Sequence, residues 1–202
     1  MKKRFIIGVT GVSGAGKTTA CEILKGFGCF CLNADEVSKN VLDQSIDCKK
    51  KLASYFGLKI LDSSGKIKRK ELSKIAFLND ENARKLNKIT HPYIVKEILN
   101  VIDSLDCKFI VLDVPLLFES GLNSICNFVV SIVSEREIRL KRVMLRDKLD
   151  AKFIKQRFLR QKDNKFFKEN ADYVIFNNST KENLYIEVLK FFKFFQEFID
   201  GL

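Results

Sequence analysis

Gly11-Val12-Ser13-Gly14-Ala15-Gly16-Lys17-Thr18 has the form G-x-x-x-x-G-K-[ST], and what flanks it decides the fold. Before it runs Phe5 to Thr10, short, apolar and β-branched as a buried strand is; after it the periodicity turns helical from about Lys17. A glycine-rich turn between strand and helix lets successive backbone N–H groups converge on a phosphate, and the helix adds the positive end of its dipole. Lys17 is placed to reach the β- and γ-phosphates of a nucleoside triphosphate, and the Thr18 hydroxyl to reach Mg²⁺. Gly11, Ser13, Gly14, Ala15 and Gly16 line the loop.

Working outward, further strand-like runs lie at Cys29 to Leu32, Phe109 to Val114, Phe128 to Val133 and Tyr173 to Phe176. Helical stretches separate them, which is the alternation of a parallel α/β fold. The runs at 109–114 and 128–133 are almost wholly apolar, as strands covered on both faces are. The long segment between the second and third strands reads as helices at about 36–56, 70–78, 81–89 and 93–105, with Pro92 starting the last of them. A basic helical excursion at about 135–170 joins the fourth strand to the fifth. The last helix, about 181–199, carries Leu184, Val188, Phe191, Phe195 and Phe198 at helical spacing, as a core-docking face does; a membrane or partner face is the alternative.

Composition narrows the class. The chain of 202 residues suits one core domain with excursions, and its 46% apolar content suits a globular protein. A net charge of +11 attracts anions without choosing among nucleotides, nucleic acid and acidic lipid. The basic residues are spread out, and no basic block is interleaved with stacking aromatics. Six cysteines with no C-x-x-C spacing and a single histidine support neither a zinc site nor a disulfide framework. The apolar run at Phe5 to Val9 is too short for a signal peptide or a membrane span, so a cytoplasmic protein is expected.

Two acids stand at strand ends. Asp35, in Asn33-Ala34-Asp35, follows the second strand at the edge from which the loop departs. It suits a general base for a hydroxyl acceptor, and equally an N-cap for the helix beginning near Glu36. Asp113 closes the apolar strand Phe109 to Leu112 in the manner of a Walker B acid that holds Mg²⁺, or else caps the next turn. Pro115 ends that strand and brings Leu116, Leu117, Phe118 and Glu119 to the site's edge.

Together the loop, Asn33-Ala34-Asp35, His91-Pro92, Asp113-Val114-Pro115-Leu116-Leu117-Phe118-Glu119, Arg146-Asp147 and Asn177 resemble, in order and spacing, the dephospho-coenzyme A kinase family over residues 5–185. The resemblance implies a P-loop kinase-like three-layer α/β fold with a five-stranded parallel sheet, a helical substrate-binding insertion and a helical lid. In this chain the core would be about 1–35, 106–134 and 171–202, the coenzyme A-binding insertion about 36–105, and the lid about 135–170. It also implies ATP as phosphoryl donor, Mg²⁺, and the ribose 3′-hydroxyl of dephospho-coenzyme A as acceptor. No nucleic acid or membrane partner is expected, and the chain would be a monomer or weak homo-oligomer.

By the same resemblance Asp35 is the base, and Lys17 and Arg146 act on the transferred phosphate. Arg142, Arg146 and Asn177 join the loop in binding ATP, with Asn177 beside adenine. His91, Leu116, Leu117 and Phe118 line the acceptor site, and Thr18 and Asp113 hold the metal. His91 also reads as an ordinary helix-entry residue, and Arg142 and Arg146 as a solvated basic face. The chain departs from the family pattern at Asn33, at Val12, Ser13 and Ala15, and over most of the turn at 176–180.

Rival readings are a kinase for a nucleoside, nucleotide or other small hydroxyl acceptor, a GTP switch and a nucleic-acid-dependent ATPase. The switch could take Asp62-Ser63-Ser64-Gly65 as its D-x-x-G element, but no N-K-x-D follows anywhere. The ATPase rests on charge alone.

Overall fold

The computed structural model describes residues 4–148, 150–159 and 161–201. The strands are β1 (Phe5–Gly11), β2 (Phe30–Asn33), β3 (Phe109–Asp113), β4 (Phe128–Val133) and β5 (Tyr173–Phe176). They form one parallel sheet in the order β2-β3-β1-β4-β5. The order turns back at β1: the chain leaves β1 for the edge, returns to lay β3 beside it, and continues on the other side with β4 and β5. In such sheets ligands bind in the crevice at the carboxyl ends of the strands near the reversal. Every residue of β1 and β4 is buried, because helices cover both faces.

By contacts the chain divides into two compact units. One comprises Met1–Leu32, Cys107–Glu119 and Asn123–Leu202; the other comprises Asn33–Asp106 and Ser120–Leu122.

The first unit holds the sheet, α1 (Lys17–Gly26), α6 (Leu117–Ser120, its last residue in the other unit), α7 (Arg136–Asp147), α8 (Ala151–Leu159), α9 (Asn164–Asn170) and α10 (Lys181–Asp200). Its core is aromatic. Leu184, Val188, Phe191, Phe192, Phe195 and Ile199 of α10 are buried against the sheet. Phe195 meets Phe128 at 5.5 Å between centroids and Phe5 at 6.2 Å, both edge-on, the arrangement that ring quadrupoles favour. The α10 stripe thus docks on the core, and Phe198, at its margin, is 43% exposed. Among the described residues no helix is long and apolar enough to cross a membrane.

The second unit is helical: α2 (Ala34–Gln44), α3 (Ile46–Phe56), α4 (Arg69–Ala76) and α5 (Asp80–Ser104), with a 3₁₀ turn at Leu58–Ile60. Here the sequence expectations need two corrections. The single helix expected over 36–56 is two helices broken at Ser45, whose hydroxyl accepts from Cys48 N at 3.2 Å and caps α3. The two helices expected at 81–89 and 93–105 are one, and Pro92 lies inside α5 instead of starting a helix. A mid-helix proline costs about 3 kcal/mol. Packing of α5 against α2, α3 and α4 outweighs that cost. Two residues before the proline, the Thr90 hydroxyl donates back to Leu86 O at 2.9 Å.

Candidate functional site

The loop after β1 is shaped by glycines that nothing larger can replace. Gly16 sits at φ +100°, and a Cβ there would strike the Asn177 carboxamide. Gly14, at φ +81°, faces α7, where a Cβ would lie 2.8 Å from Val143 Cγ2 and 2.9 Å from Arg139 O. Gly16 is also the N-cap of α1 and offers no side chain to its first turn, which carries no acidic residue. The positive end of the helix is therefore not offset locally, as an anion site requires.

Lys17 lies in this cradle. Its ammonium donates to Gly11 O at 2.7 Å and Val12 O at 3.3 Å. Burial pushes its pKa below the ordinary lysine value; the nearby Asp113 carboxylate opposes the shift, while Arg146 and Arg157 add to it. Asp113 itself is half-buried at the end of β3, in register with Val9 of β1. Thr18 is exposed in the first turn of α1.

Around the loop stands α7 with α8. Arg139 is buried, its Nε donating to Ser134 O at 3.1 Å and its guanidinium lying 4.5 Å from the Phe158 ring centre. Arg142 reaches Asn177 O and Ser179 O, each at 2.9 Å. Arg146 is held by Asp147 at 2.6 Å and 3.0 Å, and Arg157 donates to the same carboxylate at 3.3 Å. Exposed pairs of this kind are worth little, so Arg146 can exchange Asp147 for a phosphate at small cost. Ser13 N donates to Gln161 Oε1 at 3.4 Å.

Sequence reading did not single out Arg139, Arg157 or Gln161. They belong to no motif; the folding of α7 brings Arg139 against Gly14, the chain after α8 brings Gln161 to Ser13, and Arg157 joins Arg146 on Asp147. Of the three residues after Pro115, Leu116 is 60% exposed and Leu117 fully buried, while Phe118 packs on Phe166 with centroids 5.5 Å apart.

In the second unit Asn33 caps α2, its side chain accepting from Asp35 N at 2.9 Å and Glu36 N at 3.2 Å. Asp35 is thereby relieved of the capping role that its position also suited, and it stands exposed in the first turn. His91 is half-buried within α5. Its buried Nε2 has no hydrogen-bond partner among the described residues, and it faces Gly121, where a Cβ would lie 3.5 Å away.

The model of one family, dephospho-CoA kinase, matches residues 5–183. The chain belongs to the dephospho-CoA kinase family. It is 36% identical over 187 residues to the dephospho-CoA kinase of Fusobacterium nucleatum, covering 93% of this chain and 96% of that one. Among solved structures, the dephospho-CoA kinase from Campylobacter jejuni is 33% identical with a TM-score of 0.66, over 93% of this chain and 95% of that one. A crystal structure from Thermus thermophilus is 25% identical with a TM-score of 0.79, over 94% and 96%. Dephospho-CoA kinases are ATP-dependent phosphotransferases with an alcohol acceptor, and a kinase for another small acceptor is not favoured.

Proposed function

We propose that this chain transfers the γ-phosphate of ATP to the ribose 3′-hydroxyl of dephospho-CoA, giving CoA and ADP, and that the residues described above carry the reaction. The observation that carries the reading is a loop of positive-φ glycines at a helix N-terminus with the Lys17 ammonium folded into it, in a chain of this family. A lysine in a glycine loop at the positive end of a helix suits a polyphosphate whose negative charge shifts as the phosphoryl group moves.

In the reaction the 3′-oxygen attacks the γ-phosphorus, the bond from that phosphorus to the β,γ-bridging oxygen breaks, and ADP leaves with the bridging oxygen. Asp35 takes the hydroxyl proton: its carboxylate is exposed, and Asn33 does the capping. Lys17 and Arg146 hold the transferred group, and closure of α7 and α8 over it excludes water, the commonest competing nucleophile. The unit Asn33–Asp106 is the one we assign to the acceptor, with His91 Nε2 as a group able to meet a polar partner there.

The donor set fits Mg²⁺. The Thr18 hydroxyl and the Asp113 carboxylate are hard oxygen ligands. Such an ion would be held through few protein ligands and the substrate's phosphates. When bound, the ion offsets charge on the β- and γ-oxygens. Consumption of ATP and the free thiols of Cys21, Cys29, Cys31 and Cys48 suit a cytoplasmic enzyme.

A panel of acceptors tests the reading. Steady-state ADP formation should give a kcat/KM for dephospho-CoA at least about a hundredfold above that for nucleosides or nucleotides, a gap of about 2.7 kcal/mol. Equal or better turnover of a nucleoside would defeat the acceptor assignment and leave the ATP site standing.

A further inference from the structure

Asn177 directly follows β5, with only 5% of its surface exposed, and both polar atoms of its side chain are used by the protein. Its Nδ2 donates to Ala15 O at 2.7 Å, and its Oδ1 accepts from Arg142 Nη2 at 3.3 Å. The two partners fix which way the carboxamide faces, because a backbone carbonyl only accepts and a guanidinium only donates. Arg142 is fixed in turn by Asn177 O and Ser179 O. The next residue, Asn178, ties down the start of α7: its Oδ1 accepts from Glu135 N at 2.8 Å and its Nδ2 donates to Glu135 Oε1 at 3.0 Å.

We infer that Asn177 is a positioning residue for phosphate: by holding Ala15 O it aims the N–H of Gly16 into the loop, and Arg142 holds Asn177 in place to do so. The reason lies in the peptide plane. In a trans peptide the C=O and the N–H of one unit point in opposite directions, so fixing Ala15 O on Asn177 turns the Gly16 N–H to the opposite side. Gly16, at φ +100° and without a Cβ, is free to flip that plane, and the loop contains two further positive-φ glycines. An anion-binding amide that must not turn away needs an external hold. Asn177 supplies it from a strand end in the core, the kind of rigid element on which precise sites are built. The inference rests on the reading of Gly11–Thr18 as the ATP phosphate loop. It differs from a role for the Asn177 side chain at adenine, because that side chain is already committed to Ala15 and Arg142.

The test compares probes that separate phosphate from base, using the full-length protein. Binding of ADP, tripolyphosphate and adenosine is measured for wild type, Asn177→Ala and Arg142→Lys. Loss of one anchoring bond should weaken ADP and tripolyphosphate alike by about tenfold in Asn177→Ala, with adenosine changed less than about twofold. Arg142→Lys, which loses the two-pronged fork but keeps the charge, should show the same pattern at about threefold and remains informative if Asn177→Ala does not fold. Equal loss of adenosine and ADP would overturn the inference in favour of an adenine contact. Unchanged tripolyphosphate binding in either folded variant would overturn it outright. A wild-type protein that binds neither ADP nor tripolyphosphate would refute the phosphate-loop reading itself, and this inference with it.

Discussion

Gly16→Ala places one methyl group where the structure has no room for it. Gly16 lies at φ +100°, and the added Cβ would run into Asn177 Nδ2, with Leu184 Cδ2 at 3.4 Å behind it. An L-residue in left-handed backbone costs about 1–2 kcal/mol. Driving the carboxamide away breaks its 2.7 Å bond to Ala15 O. A buried hydrogen bond is worth about 0.5–1.5 kcal/mol net. Together these come to about 1.5–3.5 kcal/mol, a factor of roughly ten to four hundred in an equilibrium constant. If the loop keeps its shape, the cost appears as lower stability; if the Gly16 peptide flips, it appears as weaker nucleotide binding. Calorimetric titration with ADP and thermal unfolding of the same preparation therefore capture it between them. A Gly16→Ala protein that binds ADP and melts as the wild type does, with both changes under about 0.5 kcal/mol, would refute the packing argument.

Three other outcomes are expected. Asp35→Asn should lower kcat by about 10²- to 10⁴-fold while leaving the ATP dissociation constant within about twofold, measured by turnover and titration; undiminished kcat would remove Asp35 as base. Phe195→Ala empties a fully buried site ringed by Phe5, Phe109, Phe128 and Phe191. It should cost about 3–5 kcal/mol and lower Tm by roughly 6–20 °C in circular dichroism melts; a loss under 1 kcal/mol would mean that α10 does not dock as described. Burial pushes the Cys31 and Cys48 thiols from the ordinary 9.0 up to about 11. At pH 8 their alkylation should therefore be about a hundredfold slower in the native than in the unfolded protein, read by mass spectrometry with time. Because these raised thiols keep protons that the unfolded chain has released, their contribution to stability is complete below pH 9 and is lost as pH rises toward 11.

What the sequence made legible follows from how local the signals are. Gly11 to Thr18 carries its own turn chemistry, and the buried strands are continuous apolar runs, so both can be read without a partner in view. The break at Ser45 and the continuous helix through Pro92 could not, because each depends on balance between a local preference and packing in the Asn33–Asp106 unit. Asn33 and Asp35 are both good caps by residue type; the extended backbone of Asn33, at φ −88° and ψ 111°, decides between them. Gln161 reaches the loop from about 150 residues away in sequence, as the bond from Ser13 N shows, and no spacing rule announces such a contact. The family pattern singled out Asn177 as an expectation beside adenine, while its hold on Ala15 O appears only in the folded chain.

The most direct test follows a labelled phosphate. Wild-type protein is incubated with Mg²⁺, ATP labelled at the γ-phosphate and dephospho-CoA, and the product is weighed by mass spectrometry and mapped by NMR. The account predicts ADP release that depends on the acceptor, with one labelled phosphate on the ribose 3′-oxygen of dephospho-CoA. Label that stays on ATP, passes only to water or appears elsewhere on the acceptor would contradict it.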